Sequence, residues 1–199
     1  MSRHYERATS VIAALFVVRE GCYSVPWPVI AHPPCERWGR YWSGGPSAKV
    51  RRTLGDDEGC FSSALASVRE WGGVLEHPEA SHAFKAHGLN RPHWREGWID
   101  AGDGMGRVCC VAQGNYGHLA RKLTWLYAVG IEYPELDWSI PAPRTRLDCG
   151  FHSAAERKAR STTKGACSRL THAENLATPP QFRDLLRSMA SSVRQRDYV

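Results

Sequence analysis

Short apolar runs recur along the first two thirds of the chain, separated by stretches rich in glycine, proline and charge. The runs over 11–18, 27–31 and 74–75 are continuous and rich in branched side chains, which is typical of strands buried on both faces. Two further runs, 107–112 and 122–129, flank a polar, glycine-containing loop and predict an antiparallel hairpin. The pattern therefore predicts a sheet that is covered on both sides.

Three other segments carry apolar residues at helical spacing. The first follows the N-cap candidates Asp56 and Asp57 and ends at Gly72. The second is short and covers 80–86. The third covers 178–196 and begins with Thr-Pro-Pro-Gln, a capping-box sequence, before a regular apolar stripe. These are the helices that we expect to cover the sheet.

Together the elements predict one α/β domain over residues 1–199 with a reduced Rossmann-like architecture. We expect a mostly parallel sheet, an antiparallel hairpin at one edge, and helices packed outside it. Prolines, charges and small residues dominate 132–168 without any period, which predicts irregular structure there. A chain of 199 residues is long enough for one real core and too short to expect two independent domains.

Charge and cysteine content narrow the function classes. The net charge of +6 permits a polyanionic partner without requiring one. Seven cysteines without a Cys-x-x-Cys pair argue against a disulfide framework and a structural zinc site, so we assign no metal ligands and expect the reducing cytoplasm. The run over 11–18 is too short to cross a bilayer, and Arg19-Glu20 follow where a cleavage site would stand. We therefore expect no contact with a membrane.

Polar side chains follow three of the predicted strands. His32 and Cys35 come after the second strand in the sequence His-Pro-Pro-Cys, Glu76 and His77 follow the third, and Gln113 opens the hairpin loop. The two prolines force an extended turn that would present Cys35 at the end of the sheet. Because neighbouring strands bring their carboxyl ends together, we expect these groups to face one site.

The residue types suit covalent chemistry on a pyrimidine ring. A Cys35 thiolate could attack C6, if His32 or nearby basic side chains lower its pKa. Glu76 could donate a proton as charge develops on the ring, if burial raises its pKa. Arg121 and Lys122 could hold a phosphate or an exocyclic oxygen. The other candidate substrate contacts are Arg37, Trp38, Asp57, His77, Gln113, Tyr116 and His118.

Each candidate also has a structural interpretation. Cys35 could be a buried structural thiol, Asp57 a helix cap first, and Trp38 a core residue instead of a stacking face for a base. The histidines could cap turns. Glu76 differs from these, because a carboxylate directly after a buried strand costs several kcal/mol to desolvate unless it is paired or used.

The order of the motifs resembles the second half of the DNA cytosine-C5 methyltransferase family. In that family a Pro-Cys after one strand supplies the nucleophile, a Glu-Asn after the next supplies an acid, and Gln-x-Arg-x-Arg lies on the following hairpin. The similar segments here are Pro34-Cys35, Glu76-His77, Gln113 with Arg121 and Lys122, and the closing Asn-Leu-Ala-Thr-Pro-Pro of 175–180. The chain also resembles short phage and prophage proteins that carry HPPC, GGVLEHP and QGxYGH segments.

The resemblance implies a transferase that acts on a nucleobase, with Cys35 as nucleophile, Glu76 as acid and Arg121 as a third catalytic residue. It also implies a nucleic-acid or nucleotide partner and, for a phage-type protein, the cytoplasm of the host cell. The family's cofactor is S-adenosylmethionine, but nothing between Val18 and Trp27 matches the glycine-rich loop that holds it. The cofactor is therefore left unassigned.

Two other function classes stay open on the sequence. One is a catalytically silent protein that binds a nucleotide or DNA in the same site and acts by sequestration, for example against host defence signalling. The other is a hydrolase or glycosyl-transferring enzyme with Glu76 as nucleophile or acid. Loss of Cys35 should abolish activity only if the protein is a base-modifying enzyme. Loss of Glu76 should abolish the activity of the hydrolase as well.

Overall fold

The computed structural model describes residues 15–17, 27–44, 52–141 and 170–193. The six described strands are β1 (Leu15–Val17), β2 (Val29–Ala31), β3 (Gly73–Pro78), β4 (Ile99–Asp100), β5 (Arg107–Ala112) and β6 (Leu123–Val129). The described helices are α1 (Cys60–Trp71), α2 (His82–Ala86), a 3₁₀-helix (Gln113–Tyr116), α3 (His172–Leu176) and α4 (Pro180–Ser191). The strands form one sheet in the order β1-β2-β3-β6-β5-β4.

The sheet is mixed, and the predicted mostly parallel sheet is not confirmed. Among the described strands β2 and β3 pair in parallel, while the other four neighbouring pairs are antiparallel. The connection from β2 to β3 contains α1, which carries the chain back to the same end of the sheet. Residues 101–106 join β4 to β5 and residues 113–122 join β5 to β6, and direct connections of this kind join antiparallel strands. The α/β content and the antiparallel pairing of β5 with β6 are confirmed. The predicted place of this hairpin at an edge of the sheet is wrong, because β6 also pairs with β3 and β5 also pairs with β4.

Side chains alternate between two cores, one on each face of the sheet. Leu75, Trp125 and Tyr127 point to the face that α1 and α2 cover. Val74 and Leu126 point to the opposite face, where α4 packs. Because successive residues of a strand take opposite faces, His77 belongs to the α1 side and Glu76 to the α4 side. This alternation decides which polar groups can meet.

Two helix starts differ from their predictions. α1 begins after Gly59, but Asp57 does cap it, since its carboxylate accepts the backbone N–H of Phe61 at 2.9 Å. The predicted helix over 178–196 is α4, which starts at Pro180 behind an N-cap proline without a side-chain hydrogen bond and ends at Ser191. The capping box forms in α3 instead, between Thr171 and Glu174. The sequence pattern predicts no helix at the position of α3.

Some predicted segments fall partly outside the described residues, namely 11–14 and 18 of the first strand, 45–51 of the loop after Cys35, and 142–168 of the irregular region. Residues 132–141 contain neither helix nor strand, as predicted for that stretch. No helix in the described part of the chain has the length and apolar character needed to cross a membrane.

The parallel pair depends on Gly73, which begins β3 at φ +123°. A Cβ at this position would overlap the backbone of Val29 on β2. We therefore expect Gly73→Ala to lower the free energy of unfolding by more than about 3 kcal/mol, because backbone strain and overlap add. Gly88 is the control, since it also has a positive φ but a Cβ there meets nothing within 4 Å. Gly88→Ala should lower the free energy of unfolding, measured in urea, by about 1 kcal/mol. Equal losses in the two variants would contradict the register.

Candidate functional site

The register of the parallel pair places His32 beside Glu76. Ala31 lies opposite Leu75, so the next residue of each chain segment is a neighbour on the α4 side. His32 Nδ1 and Glu76 Oε2 are 2.9 Å apart, and 19% and 13% of the two side chains are exposed. A carboxylate oxygen only accepts, so the Nδ1–H of His32 donates. The pair holds one oxygen of the carboxylate in place.

The second oxygen of Glu76 is held from the hairpin. Gln113 Nε2 donates to Glu76 Oε1 at 3.2 Å and to Thr124 Oγ1 at 2.9 Å. Gln113 and Thr124 are buried, with 1% and 0% of their surface exposed. Gln113 Oε1 is buried without a hydrogen-bond partner among the described residues. Both oxygens of Glu76 are therefore oriented, and one amide oxygen beside them is left for a donor.

Cys35 begins a tight turn directly after the His-Pro-Pro segment. Its carbonyl oxygen accepts the N–H groups of Trp38 at 3.0 Å and Gly39 at 2.7 Å. The thiol is partly buried, and it lies close enough to Glu76 and Lys122 for both charges to act on it. Thiol, carboxylate and ammonium therefore lie within range of one another's charge.

The protonation states differ from those predicted. Burial, and then the Glu76 charge, raise the pKa of the Cys35 thiol, and Lys122 offsets them only in part. Burial alone would raise the pKa of the Glu76 carboxyl, but the hydrogen bond and charge of His32, followed by Lys122, hold it below its usual value. The two conditions set for covalent chemistry on a pyrimidine ring, a lowered thiol pKa and a raised carboxyl pKa, are therefore not met. At neutral pH the thiol carries its proton and the carboxylate is ionised.

Lys122 links this site to the C-terminal segment. Its backbone has φ +41°, an uncommon value for a residue with a side chain, and its Nζ donates to the Ala177 carbonyl at 3.0 Å. Burial lowers the pKa of the Lys122 amine, while the Glu76 and Cys35 charges raise it. Ala177 lies between α3 and α4, so this stretch closes one side of the site.

His77 lies on the other face of the sheet and does not join this group. It is fully buried, and its ring stands edge-on to Phe61 with 5.1 Å between centroids. The Pro34 carbonyl faces the ring, but neither ring nitrogen makes a well-formed hydrogen bond to a described residue. Burial lowers the pKa of His77 to about 4. The geometry gives His77 a packing role under the Pro-Cys turn, with no opening to a substrate.

Arg121, His118 and Tyr116 lie in the loop between β5 and β6. Arg121 Nε donates to the Pro141 carbonyl at 3.2 Å, His118 Nδ1 accepts the Ala120 N–H, and Tyr116 packs on Phe182. A cavity of about 160 Å³ adjoins the loop, lined by Gly114, Gly117, His118, Leu119, Ala120, Arg121 and Pro141. The catalytic role of Arg121 stays a prediction, and Lys122 is the cation beside the thiol.

Trp38 and Asp57 hold α1 in place. Trp38 is 7% exposed and its indole N–H donates to Asp57 Oδ2 at 2.7 Å, so the predicted stacking face is closed by core packing. Asp57 uses the same oxygen to cap α1. Arg37 is anchored by its backbone, since its carbonyl accepts the Gly55 N–H at 3.0 Å, and its Nη1 is buried without a described partner. Within the described part of the chain, Arg37 is the one of these three whose side chain has a buried donor without a partner.

Thr124 is the site residue that the sequence analysis missed. It is the single Ser or Thr in the apolar run of β6, Leu-Thr-Trp-Leu-Tyr-Ala-Val. Counting alternate positions from Leu126 places it on the α4 face, the side of Glu76, so the signal was present in the sequence. Among the described residues no three His, Cys, Asp or Glu side chains gather as metal ligands would.

No protein-family model, curated protein or solved structure matches this chain. The function is therefore inferred from the geometry of the site.

Buried His77 should make stability depend on pH. Its pKa is about 4 in the folded protein against 6.5 for an ordinary histidine. Between these two values the unfolded chain binds a proton that the folded protein does not bind. The free energy of unfolding therefore falls as pH drops from about 6.5 to about 4. The loss amounts to about 3 kcal/mol. Urea unfolding of His77→Leu should lack this part of the pH dependence, and exposed His82→Gln should keep it. Identical slopes in both variants would contradict the assignment.

Proposed function

We propose that this protein is a nucleobase-modifying enzyme in which the Cys35 thiol adds to C6 of a pyrimidine ring and Glu76 is its proton partner. One observation carries the proposal. A protonated thiol that follows β2 and an ionised carboxylate on β3 lie within reach of each other's charge and of the Lys122 ammonium. These are the two groups that such an addition uses.

Transfer of one proton from Cys35 to Glu76 prepares both groups at once. The Sγ lone pair forms the bond to C6, and the C5–C6 π pair moves to C5 and delocalises toward N3 of a cytosine. N3 takes the proton from Glu76 as charge builds on the ring. C5 can then accept a proton from solvent. Loss of the original C5 hydrogen as a proton and expulsion of Sγ restore the ring, with Glu76 taking back the N3 proton.

The neighbours of the pair suit this step. Lys122 stabilises negative charge on sulfur once the proton has left, because it already opposes the raised pKa of Cys35. His32 and Gln113 hold the two carboxylate oxygens, so Glu76 is fixed before a substrate arrives. Preorganised groups of this kind cost no reorganisation during the reaction.

The order of the motifs along the fold supports the same proposal. Cys35 follows β2, Glu76 lies on β3, and Gln113 and Lys122 stand at the two ends of the β5–β6 turn. This is the order of nucleophile, acid and hairpin segment in the cytosine-C5 methyltransferases that the sequence resembles. The substrate we infer is a cytosine base in a nucleotide or nucleic acid, and in that family C5 takes up a methyl group.

A catalytically silent nucleotide- or DNA-binding protein is the second candidate. The observation in its favour is the raised pKa of Cys35, since a thiol that keeps its proton is a weak nucleophile. In that case the base would be held by Glu76, Gln113 and Lys122 through hydrogen bonds alone. The two candidates make opposite predictions for Cys35.

Exchange of the C5 hydrogen tests the enzyme without any cofactor. Incubation of deoxycytidine monophosphate, or of a cytosine-containing oligonucleotide, in D₂O should place deuterium at C5, which mass spectrometry measures. Cys35→Ser should abolish exchange, and Glu76→Gln should slow it by about a hundredfold or more. Glu79→Gln is the matched control, because Glu79 follows β3 and pairs only loosely with Arg40 at 3.8 Å. Oligonucleotide binding without exchange, unchanged in Cys35→Ser, would favour the binding protein.

A further inference from the structure

A second polar group lies on the α1 side of the sheet, apart from the thiol and carboxylate. Ser62 Oγ on α1 and His87 Nε2 at the end of α2 are 2.8 Å apart. His87 Nδ1 lies 2.9 Å from the carbonyl oxygen of Ala83. Ser62 is exposed and His87 is partly exposed, so a small molecule can reach the hydroxyl.

The Ala83 carbonyl fixes which nitrogen of the His87 ring carries the hydrogen. A carbonyl oxygen only accepts, so Nδ1 carries the hydrogen and donates to it. In the neutral ring Nε2 is then an acceptor, and the Ser62 hydroxyl donates to it. A nucleophile, a base and a third group that orients the base therefore stand in one hydrogen-bonded chain, which is the arrangement that activates a serine.

The ring of His87 is also fixed by packing. Its centroid lies 4.7 Å from that of Phe61 and 5.6 Å from that of Trp38. The two aromatic rings belong to the core under α1 and restrict the imidazole to one orientation. A base that is held before substrate binds loses little freedom in the reaction.

Ser62 has a second favourable feature in its place on the helix. The hydrogen-bond ladder of α1 begins with the N–H of Ser63 donating to Gly59 at 2.9 Å. The N–H of Ser62 therefore precedes the ladder, in the turn where helix N–H groups have no partner within the helix. A backbone N–H on the nucleophile itself is one of the donors that stabilise the oxyanion in serine hydrolases.

We propose that Ser62 is a nucleophile toward small activated carboxylic esters, with His87 as its general base. In the first step Ser62 Oγ bonds to the ester carbonyl carbon and its proton passes to His87 Nε2. The C–O bond to the alcohol breaks, and the alcohol leaves with that proton. Water then attacks the acyl carbon and gives a proton to His87. The bond from the acyl carbon to Ser62 Oγ breaks, His87 returns the proton to Oγ, and the acid is released. Both steps balance without a cofactor and use neither Cys35 nor Glu76.

Two measurements test the pair. The first is peptide mapping by mass spectrometry after treatment with an alkyl fluorophosphonate, which forms an O–P bond to an activated serine as fluoride leaves. The second is nitrophenolate release from p-nitrophenyl acetate. We expect the phosphonyl group on Ser62. We also expect Ser62→Ala and His87→Gln to release nitrophenolate at least about a hundredfold more slowly than the unchanged protein.

The control is Ser63→Ala, the next residue of the same exposed turn, which should react as the unchanged protein does. All three positions are at least partly exposed, so thermal unfolding should confirm that each variant folds. A fluorophosphonate that leaves Ser62 unlabelled would overturn the proposal. Equal nitrophenolate release from Ser62→Ala and Ser63→Ala would also overturn it. Neither outcome depends on the C5 exchange of cytosine.

Discussion

The parallel register of β2 and β3, in which Ala31 lies opposite Leu75, is the constraint on which the candidate site depends. It makes His32 and Glu76 neighbours on one face and sends His77 to the other. A shift by one residue would exchange these two faces and leave a carboxylate in the apolar core beneath α1. The chain holds this register with a glycine at the start of β3, where β2 leaves no room for a side chain.

Charge is distributed so that the site holds one transferable proton. A carboxylate with 13% of its side chain exposed is costly to ionise, and hydrogen bonds from His32 and Gln113 offset that cost. The ionised Glu76 in turn helps to keep the proton on Cys35, while Lys122 limits how strongly it is held. Each group therefore sets the state of the others. The site is best described as a coupled thiol and carboxylate, and not as two independent residues.

The strands and the turn that carries Cys35 could be predicted from the sequence, whereas the pairing of the strands and the pKa directions could not. The apolar runs predict β2, β3 and the hairpin, and the prolines before Cys35 predict where the thiol stands. Parallel or antiparallel pairing depends on the connections, which periodicity does not reveal, and the sheet is mixed for that reason. The pKa directions depend on how far each group is buried and which partner it meets. Ser62 and His87 are brought together by the packing of two helices, and no motif marks them.

The pH dependence of Cys35 alkylation, followed by peptide mapping, tests most directly whether thiol, carboxylate and ammonium share one site. The Cys35 midpoint should lie above that of an ordinary thiol in the unchanged protein. It should fall in Glu76→Gln, which removes a negative charge, and rise in Lys122→Gln, which removes a positive one. Opposite shifts in the two variants are the expected result. A midpoint that neither substitution moves would show that the three groups do not face each other.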